Sequence, residues 1–411
     1  MLPAHPRLIG SSALLLTLFL SSLAQAQDTP PSPAAEEEPA APAVNLSLFA
    51  DTYVSFNSSK SGTAVPFHRA YDNNTPYDPL ADFPVVVDAN GEPVLDPDGN
   101  TTPSSLGSRN GFGLSVIGLD ASFDTGTVGA TAFLRFGPSV PIYYAADMGV
   151  AGLDSILGGY LTIKPTPQLT FDAGYFGTIY GAEVLENYLN LNYTRGALYY
   201  AMQPFYHFGL KGAYAINDTI AVRAMVVNGA NNVADENNSP ALGLQLVLND
   251  IGGVLDLYVG GFYETGDDST WGIETFFDTV ASLSLGDLTL LANFDYNINR
   301  GIDGADDTSN WGVMGTAAYA VTPEVGVAVR GEYLSDPDNA IWTPATGAPE
   351  FTDAFSLTTL TATVDIKPYP HLILRPEFRY EIASDDIYAD GDGAPTDGWF
   401  TAVLGFIATT N

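Results

Sequence analysis

Charged side chains occur at alternate positions in several apolar segments of the chain. Arg330 and Glu332 are two residues apart, and Arg375, Glu377 and Arg379 continue the same spacing. Residues two apart in a β-strand lie on the same face of the sheet. Charges with this spacing either pair as internal salt bridges or form rings that set the ion preference of a passage. We keep both interpretations and favour salt bridges for most of these residues.

Acyl transfer is the other chemistry that the residue types allow, because a Ser–His pair suffices for it. After residue 26 the histidines are His68, His207 and His371, and no nucleophile motif stands beside any of them. The chain contains no cysteine, which excludes disulfides and thiolate metal sites. We therefore predict no enzyme, no catalytic residue, no metal site and no cofactor. A barrel hydrolase is the least favoured alternative.

The charge balance bears on the partners of the chain. It has 48 acidic and 14 basic residues among 411, which gives a formal net charge of −34. Nucleic acid is excluded as a partner, because proteins bind it through Lys and Arg. Charged residues make up only 15% of the chain, against roughly 25% in a soluble domain. A hydrophobic fraction of 46% is too high for a disordered protein.

The N-terminal residues predict export. Arg7, an apolar run over residues 13–20 and the small residues Ala24 and Ala26 form the three parts of a signal peptide. The apolar run is too short to span a bilayer, which takes about 20 residues. We predict a signal peptide over 1–26, a disordered Pro/Ala/Glu-rich periplasmic segment over 27–43 and a barrel over 44–411.

From residue 44 onward, segments of about ten residues alternate apolar and polar side chains. In residues 288–299, Leu290, Phe294 and Tyr296 share one face, while Asn293 and Asp295 share the other. Alternation of this kind predicts strands that have one apolar and one polar face. A soluble sheet would also alternate, so the pattern alone does not decide between the two environments.

The connections between these segments alternate between short and long. Seven are short, such as Gly286-Asp287 and Thr322-Pro323. The eight long ones span 57–110, 137–152, 181–203, 229–239, 266–272, 300–310, 335–354 and 384–397. This pattern predicts an all-β fold: a transmembrane antiparallel barrel of about sixteen strands with short periplasmic turns and long extracellular loops. Such a barrel lies in the outer membrane of a Gram-negative bacterium, in contact with its lipid.

Strand parity then separates residues facing lipid from residues facing the interior. The predicted inward cations are Arg135, Lys164, Lys211, Arg223, Arg330, Arg375 and Arg379. The predicted inward acids are Asp51, Asp120, Asp172, Asp256, Glu264, Glu274, Asp278, Asp295, Glu332, Asp365, Glu377 and Glu381. The excess of acids predicts a weak preference for cations, if these residues line a water-filled pore.

Four stretches resemble one family of membrane barrels. They read GYFGTIYGAE over 174–183, NLNYTRG over 190–196, QPFYHFGL over 203–210 and LRPEFRY over 374–380. In this order they resemble the OmpL-like putative β-barrel porin family, also called putative β-barrel porin-2. The resemblance implies an outer-membrane porin that passes small hydrophilic solutes without cofactor or energy input. A homo-oligomer is plausible by analogy with porin trimers.

Residues 181–203 are too many for a simple hairpin and contain Glu183, Asn192 and Arg195. We hypothesise that this segment folds into the lumen and narrows it. The equally weighted alternative is a surface loop in which Glu183 and Arg195 pair with each other. For the whole chain, the alternative function is a structural or adhesive barrel that acts through its long surface loops, of which 57–110 is the largest.

Overall fold

The computed structural model is a closed barrel of sixteen antiparallel strands. This confirms the predicted fold class. The structure describes residues 43–58, 111–137, 140, 155–235, 239–264, 273–299, 301, 306–339, 351, 354–390 and 394–410.

The barrel strands follow one another along the chain. They are β1 (Ala43–Asn57), β2 (Gly111–Asp124), β3 (Val128–Phe136), β4 (Ile156–Thr166), β5 (Leu169–Gly177), β6 (Tyr206–Ala215), β7 (Ile220–Val227), β8 (Ala241–Ile251), β9 (Leu255–Tyr263), β10 (Ile273–Leu285), β11 (Leu288–Asn299), β12 (Thr308–Ala320), β13 (Val325–Asp336), β14 (Phe355–Tyr369), β15 (Leu372–Ala383) and β18 (Gly398–Thr409). The other assigned elements are a 3-10 helix (Asn187–Leu189), helix α1 (Ala197–Met202) and a hairpin of β16 (Tyr388–Ala389) and β17 (Pro395–Thr396).

The ring closes between the first and the last strand. Strand β18 pairs with β15 on one side and with β1 on the other, where Phe49 lies opposite Thr409 and Asn57 opposite Thr401. An open sheet has two edges of unpaired backbone groups, and in hydrocarbon each unpaired group costs several kcal/mol. Closure removes both edges.

Strand β8 shows how the sequence separates outside from inside. Leu242 and Leu244 point outward and are 49% and 58% exposed, whereas Gln245 and Val247 point inward and are 1% and 0% exposed. The same parity runs through the neighbouring strands, so that apolar side chains cover the outer surface. Polar and charged side chains, together with several apolar clusters, fill the interior.

Connections at one end of the barrel are short, such as 286–287 between β10 and β11. Gly286 has a φ of +65°, a left-handed conformation that glycine adopts without steric cost. Connections at the other end are longer, and one of them carries the 3-10 helix and α1. The compartment that each end faces stays a prediction.

Some sequence predictions fall on residues that the structure does not describe. The predicted signal peptide (1–26) lies outside the described residues, and so does the predicted segment 27–43 apart from Ala43, where β1 begins. Most of loop 57–110, including His68, also lies outside them. Within the described ranges, no helix is long and apolar enough to cross a membrane.

The alternation predicts that neighbouring substitutions in one strand have unequal costs. Leu161 lies on the outer surface, whereas Thr162 donates a hydrogen bond to Asp172 inside the barrel. We expect Leu161→Arg to lower the free energy of unfolding by about 2 to 4 kcal/mol, because it places a charge in lipid. Thr162→Arg is the matched control and should cost less than half as much. Urea titration in phospholipid vesicles measures both, and equal costs would contradict the assignment of faces.

Candidate functional site: the charged interior of the barrel

Residues 178–205, which we call the interior segment, lie inside the barrel and span it. The Tyr180 hydroxyl donates to the carbonyl of Gly261 on β9 at 2.6 Å. Asn187 Nδ2 donates to Asp51 Oδ2 on β1 at 2.8 Å. Strands β1 and β9 are eight positions apart in the ring of sixteen, and therefore face each other across the lumen. The segment thus contacts opposite walls.

Helix α1 anchors the segment through an apolar contact on the wall. Leu198 and Met202 are buried against inward side chains of β12 to β15 and β18, including Leu334 and Phe355. A Cβ atom at Gly312 would come within 2.4 Å of Leu198 Cδ1. The absence of a side chain at 312 therefore lets the helix approach the wall closely.

The wall also supplies hydrogen-bond acceptors for the first turn of α1. Gly196 precedes the helix and offers no side-chain cap. Its backbone N–H instead donates to Glu183 Oε2 at 2.5 Å, and the N–H of Leu198 donates to Glu332 Oε1 at 3.1 Å. Carboxylates satisfy the free N–H groups at a helix start and interact favourably with its dipole. Two acids therefore cap α1. The sequence pattern did not predict this helix.

Arg330 joins these two acids. Its Nη1 donates to Glu183 Oε1 at 2.5 Å and to the carbonyl of Thr194 at 2.6 Å, and its Nε lies 3.3 Å from Glu332 Oε2. The Arg330 side chain is 0% exposed. A buried charge is stable only when it is paired and hydrogen-bonded. The guanidinium therefore connects two strand residues and the interior segment in one buried network.

The residues of β15 bind the backbone of the segment. Arg375 Nη1 donates to the carbonyl of Asn187 at 2.7 Å, and Arg379 Nη1 to that of Arg195 at 2.7 Å. Glu377 accepts hydrogen bonds from the N–H groups of Tyr193 at 2.7 Å and Thr194 at 3.0 Å. A row of alternating charges on one strand thus binds both carbonyl and N–H groups of the segment.

The ionic partners differ in part from those that the sequence predicts. Arg330 and Glu332 do pair, but Arg375 pairs with Asp365 on β14 rather than with Glu377. Residues facing each other across two strands are closer than residues i and i+2 on one strand, which explains the choice of Asp365. Glu183, which the alternative hypothesis paired with Arg195, pairs with Arg330.

The predicted constriction residues are all within the barrel. Arg195 donates to the Leu185 carbonyl and to the Tyr200 hydroxyl. Asn192 Nδ2 donates to Thr363 Oγ1 on β14 at 2.7 Å. These positions agree with the hypothesis that the segment folds into the lumen. That the segment narrows the passage for solutes stays a prediction.

Most of the remaining inward cations also meet a carboxylate. Arg135 lies 2.5 Å from both Asp120 and Glu186, and Lys211 lies 3.2 Å from Asp172. The Lys164 and Arg379 side chains pair with Asp124 and Glu381.

Arg223 is an exception among the predicted wall cations. Its Nη1 donates to Gln245 Oε1 at 3.0 Å. Among the residues that the structure describes, no carboxylate lies within the 4.0 Å of an ion pair.

Two predicted inward acids face each other, and no cation within the described ranges forms an ion pair with either. Asp278 on β10 lies directly opposite Asp295 on β11, and both side chains are buried. Asn293 Nδ2 donates to one oxygen of each, at 2.9 and 3.0 Å, and Gln203 Nε2 donates to Asp295 Oδ2 at 2.7 Å. The pair therefore holds the end of the interior segment through amide groups. Asp256 lies apart from it and accepts a bond from the N–H of Asp250 at 2.7 Å.

Sequence reasoning placed Asn293 on a polar strand face but did not identify the amide residues that complete this network as site residues. Asn293, Gln203 and Asn187 each bridge the interior segment and the wall. The inward parity of Asn293 was the available signal, since an amide that faces the interior of a barrel needs partners for both its donor and its acceptor.

The remaining chemistry-bearing side chains are few. His207 is buried, with Nδ1 2.9 Å from the Gly229 carbonyl and Nε2 3.2 Å from Thr178 Oγ1. His371 lies in the short connection after β14. Within the described ranges, no group of three His, Cys, Asp or Glu side chains could hold a metal ion.

Comparisons with known proteins identify the type of barrel. The model of a family described as putative beta-barrel porin-2, OmpL-like, matches residues 89–410. No curated relative matches the chain.

Solved structures share the fold at low sequence identity. A loop L8 deletion mutant of OmpT, an outer membrane protein of Vibrio cholerae, aligns with a TM-score of 0.55 and 13% identity over 90% of this chain and 99% of that one. The trimer form of in-vitro folded OmpT of Vibrio cholerae aligns with a TM-score of 0.54 and 14% identity over 90% of this chain and 99% of that one. An anion-selective porin from Comamonas acidovorans aligns with a TM-score of 0.54 and 11% identity over 90% of this chain and 100% of that one.

The network predicts that Arg330 controls the order of the interior segment. Arg330→Met leaves Glu183 and Glu332 buried without their shared cation. Breaking a buried pair in this way costs about 3 to 5 kcal/mol. We expect faster amide hydrogen exchange across residues 183–198. Adding Glu183→Gln to this variant should recover part of the protection, whereas unchanged exchange in Arg330→Met would refute the role of the network.

Proposed function

Because the chain belongs to the putative beta-barrel porin-2, OmpL-like family, we propose that it is an outer-membrane porin. Small hydrophilic solutes and ions pass through it by diffusion. The observation that carries this proposal is a closed ring whose outer surface is apolar and whose inner wall carries the charged residues. Such a distribution fits lipid outside and water inside. The chain would reach the membrane after cleavage of a signal peptide at residues 1–26.

The interior segment narrows the passage in this proposal. It crosses between opposite walls and binds them through both main-chain and side-chain groups. Glu183, Asn192 and Arg195 define its inner part. The apolar contact of α1 closes the side of the lumen next to β12 to β15. We infer that solutes pass beside Asp172, Lys211 and Asp256 of the wall, which stay partly exposed.

The charges along this path favour cations weakly. Most wall cations are neutralised by carboxylates, so their fields cancel at short range. Acids without a cationic partner, such as Asp256, remain. Rings of charge on the wall set ion preference in channels, and an excess of acids favours cations.

The proposal includes no catalysis and no cofactor. Both ring nitrogens of His207 face polar groups of the fold, and the ring is covered by Phe176 and Phe262. A buried ring of this kind offers no access to a substrate. A structural or adhesive role of the long loops is the second candidate, and conductance distinguishes the two. Assembly of several barrels, as in porin trimers, remains part of the proposal.

Single-channel recording tests the proposed function. The purified protein, inserted into a planar bilayer in potassium chloride, should produce discrete current steps without added cofactor. Folded protein can be verified in the same preparation by its strand signal in circular dichroism. Folded protein that passes no current would reject the porin and favour the structural or adhesive barrel.

Reversal potentials test the ion preference. Under a potassium chloride gradient we expect a sign that indicates weak cation preference. Asp256→Asn should reduce it, because it removes an unpaired inward acid. Asp287→Asn, in the exposed connection after β10, is the control and should change it little. A clear anion preference of the unmodified protein would overturn the assignment.

A further inference from the structure

Arg223 is the one predicted wall cation without a carboxylate partner among the residues that the structure describes. The other six each pair with an acid: Arg135 with Asp120, Lys164 with Asp124, Lys211 with Asp172, Arg330 with Glu183, Arg375 with Asp365 and Arg379 with Glu381. The lack of a carboxylate partner at Arg223 therefore needs a physical explanation.

The surroundings of Arg223 hold its side chain in place. Gln245 lies directly opposite it on β8, and Gln245 Oε1 accepts the hydrogen bond from Arg223 Nη1. The amide of Gln245 is itself fixed, because its Nε2 donates to the carbonyl of Ile179 in the interior segment at 2.5 Å. On the other neighbouring strand Arg223 lies opposite Ala213, which has only a methyl side chain.

The guanidinium of Arg223 is half-buried, and only one of its N–H groups has a protein acceptor. It carries five N–H donors in a planar fork, of which Gln245 binds one. Burial of a charge without a counter-charge is unfavourable. The planar fork fits the two oxygens of a carboxylate, which it can bind through parallel hydrogen bonds. An anion with two coplanar oxygens therefore fits the N–H groups of Arg223 that Gln245 leaves free.

We propose that Arg223, held by Gln245, binds the carboxylate of small monocarboxylate solutes as they pass through the barrel. The proposal rests on the porin function proposed above and specifies one class of its solutes. A single unpaired cation matches a single negative charge. A phosphate dianion would need a second one, and the nearby Lys211 is already paired with Asp172.

Binding of a carboxylate is compatible with a weak preference for cations. The preference for small ions follows from the sum of the charges along the path. A hydrogen-bonding site acts on the solute that touches it, and extends the time that this solute spends in the channel. Arg223 is the fourth residue of β7 and lies near the end of the barrel that has short connections, so the site is reached from that end.

Blockage of the potassium current tests the proposal. Potassium gluconate, added to a bilayer that holds single channels in potassium chloride, should interrupt the current in a saturable way. Sorbitol, a neutral molecule of similar size, should not. Arg223→Gln should raise the half-blocking gluconate concentration about tenfold, the effect of losing about 1.4 kcal/mol. Arg223→Lys keeps the charge but not the fork, and should give an intermediate value.

The control removes a neutralised pair from the same wall. Lys164→Met combined with Asp124→Asn eliminates one ion pair and should leave the gluconate block unchanged. Equal block by sorbitol, an unchanged half-blocking concentration in both Arg223 variants, or tighter block by inorganic phosphate than by gluconate would each overturn the proposal. Absence of potassium current before gluconate is added would instead reject the porin function itself.

Discussion

Closure of the backbone hydrogen bonds into a ring is the constraint on which the rest of this structure depends. In a hydrocarbon environment a sheet can leave no edge unpaired, so sixteen strands must return to their start, and β18 pairs with β1. A closed ring divides the side chains of every strand into an outer and an inner set. The outer side chains are mostly apolar, whereas the inner ones include the charged residues. All polar interactions of the interior follow from that division.

The ring and the faces of its strands were predictable because they depend on local patterns. Alternation in residues such as 288–299 fixes which side chain points inward, and connection lengths fix the number of strands. The position of the interior segment was one of two open hypotheses. The partners of its charges were beyond prediction, because Arg330 meets Glu183 across 147 positions of sequence. Choosing Asp365 over Glu377 for Arg375 requires the register of β14 against β15, which the sequence pattern does not specify.

Apolar and polar contacts stabilise different parts of the interior segment. Helix α1 is too short to be stable alone, and its packing on the wall compensates for this. Arginines then bind the carbonyl groups of the segment, and Glu377 binds its N–H groups. These groups of the irregular backbone thus find their partners on the barrel wall. The wall replaces the solvent that a surface loop would have used.

The pairing of β1 with β18 also governs how the molecule can be assembled. The two strands stand at opposite ends of the barrel sequence, so their contact carries the largest loop-closure entropy of any strand pair in the ring. Before the ring closes, both edges expose unpaired backbone groups, which a folding factor can cover by adding its own strand.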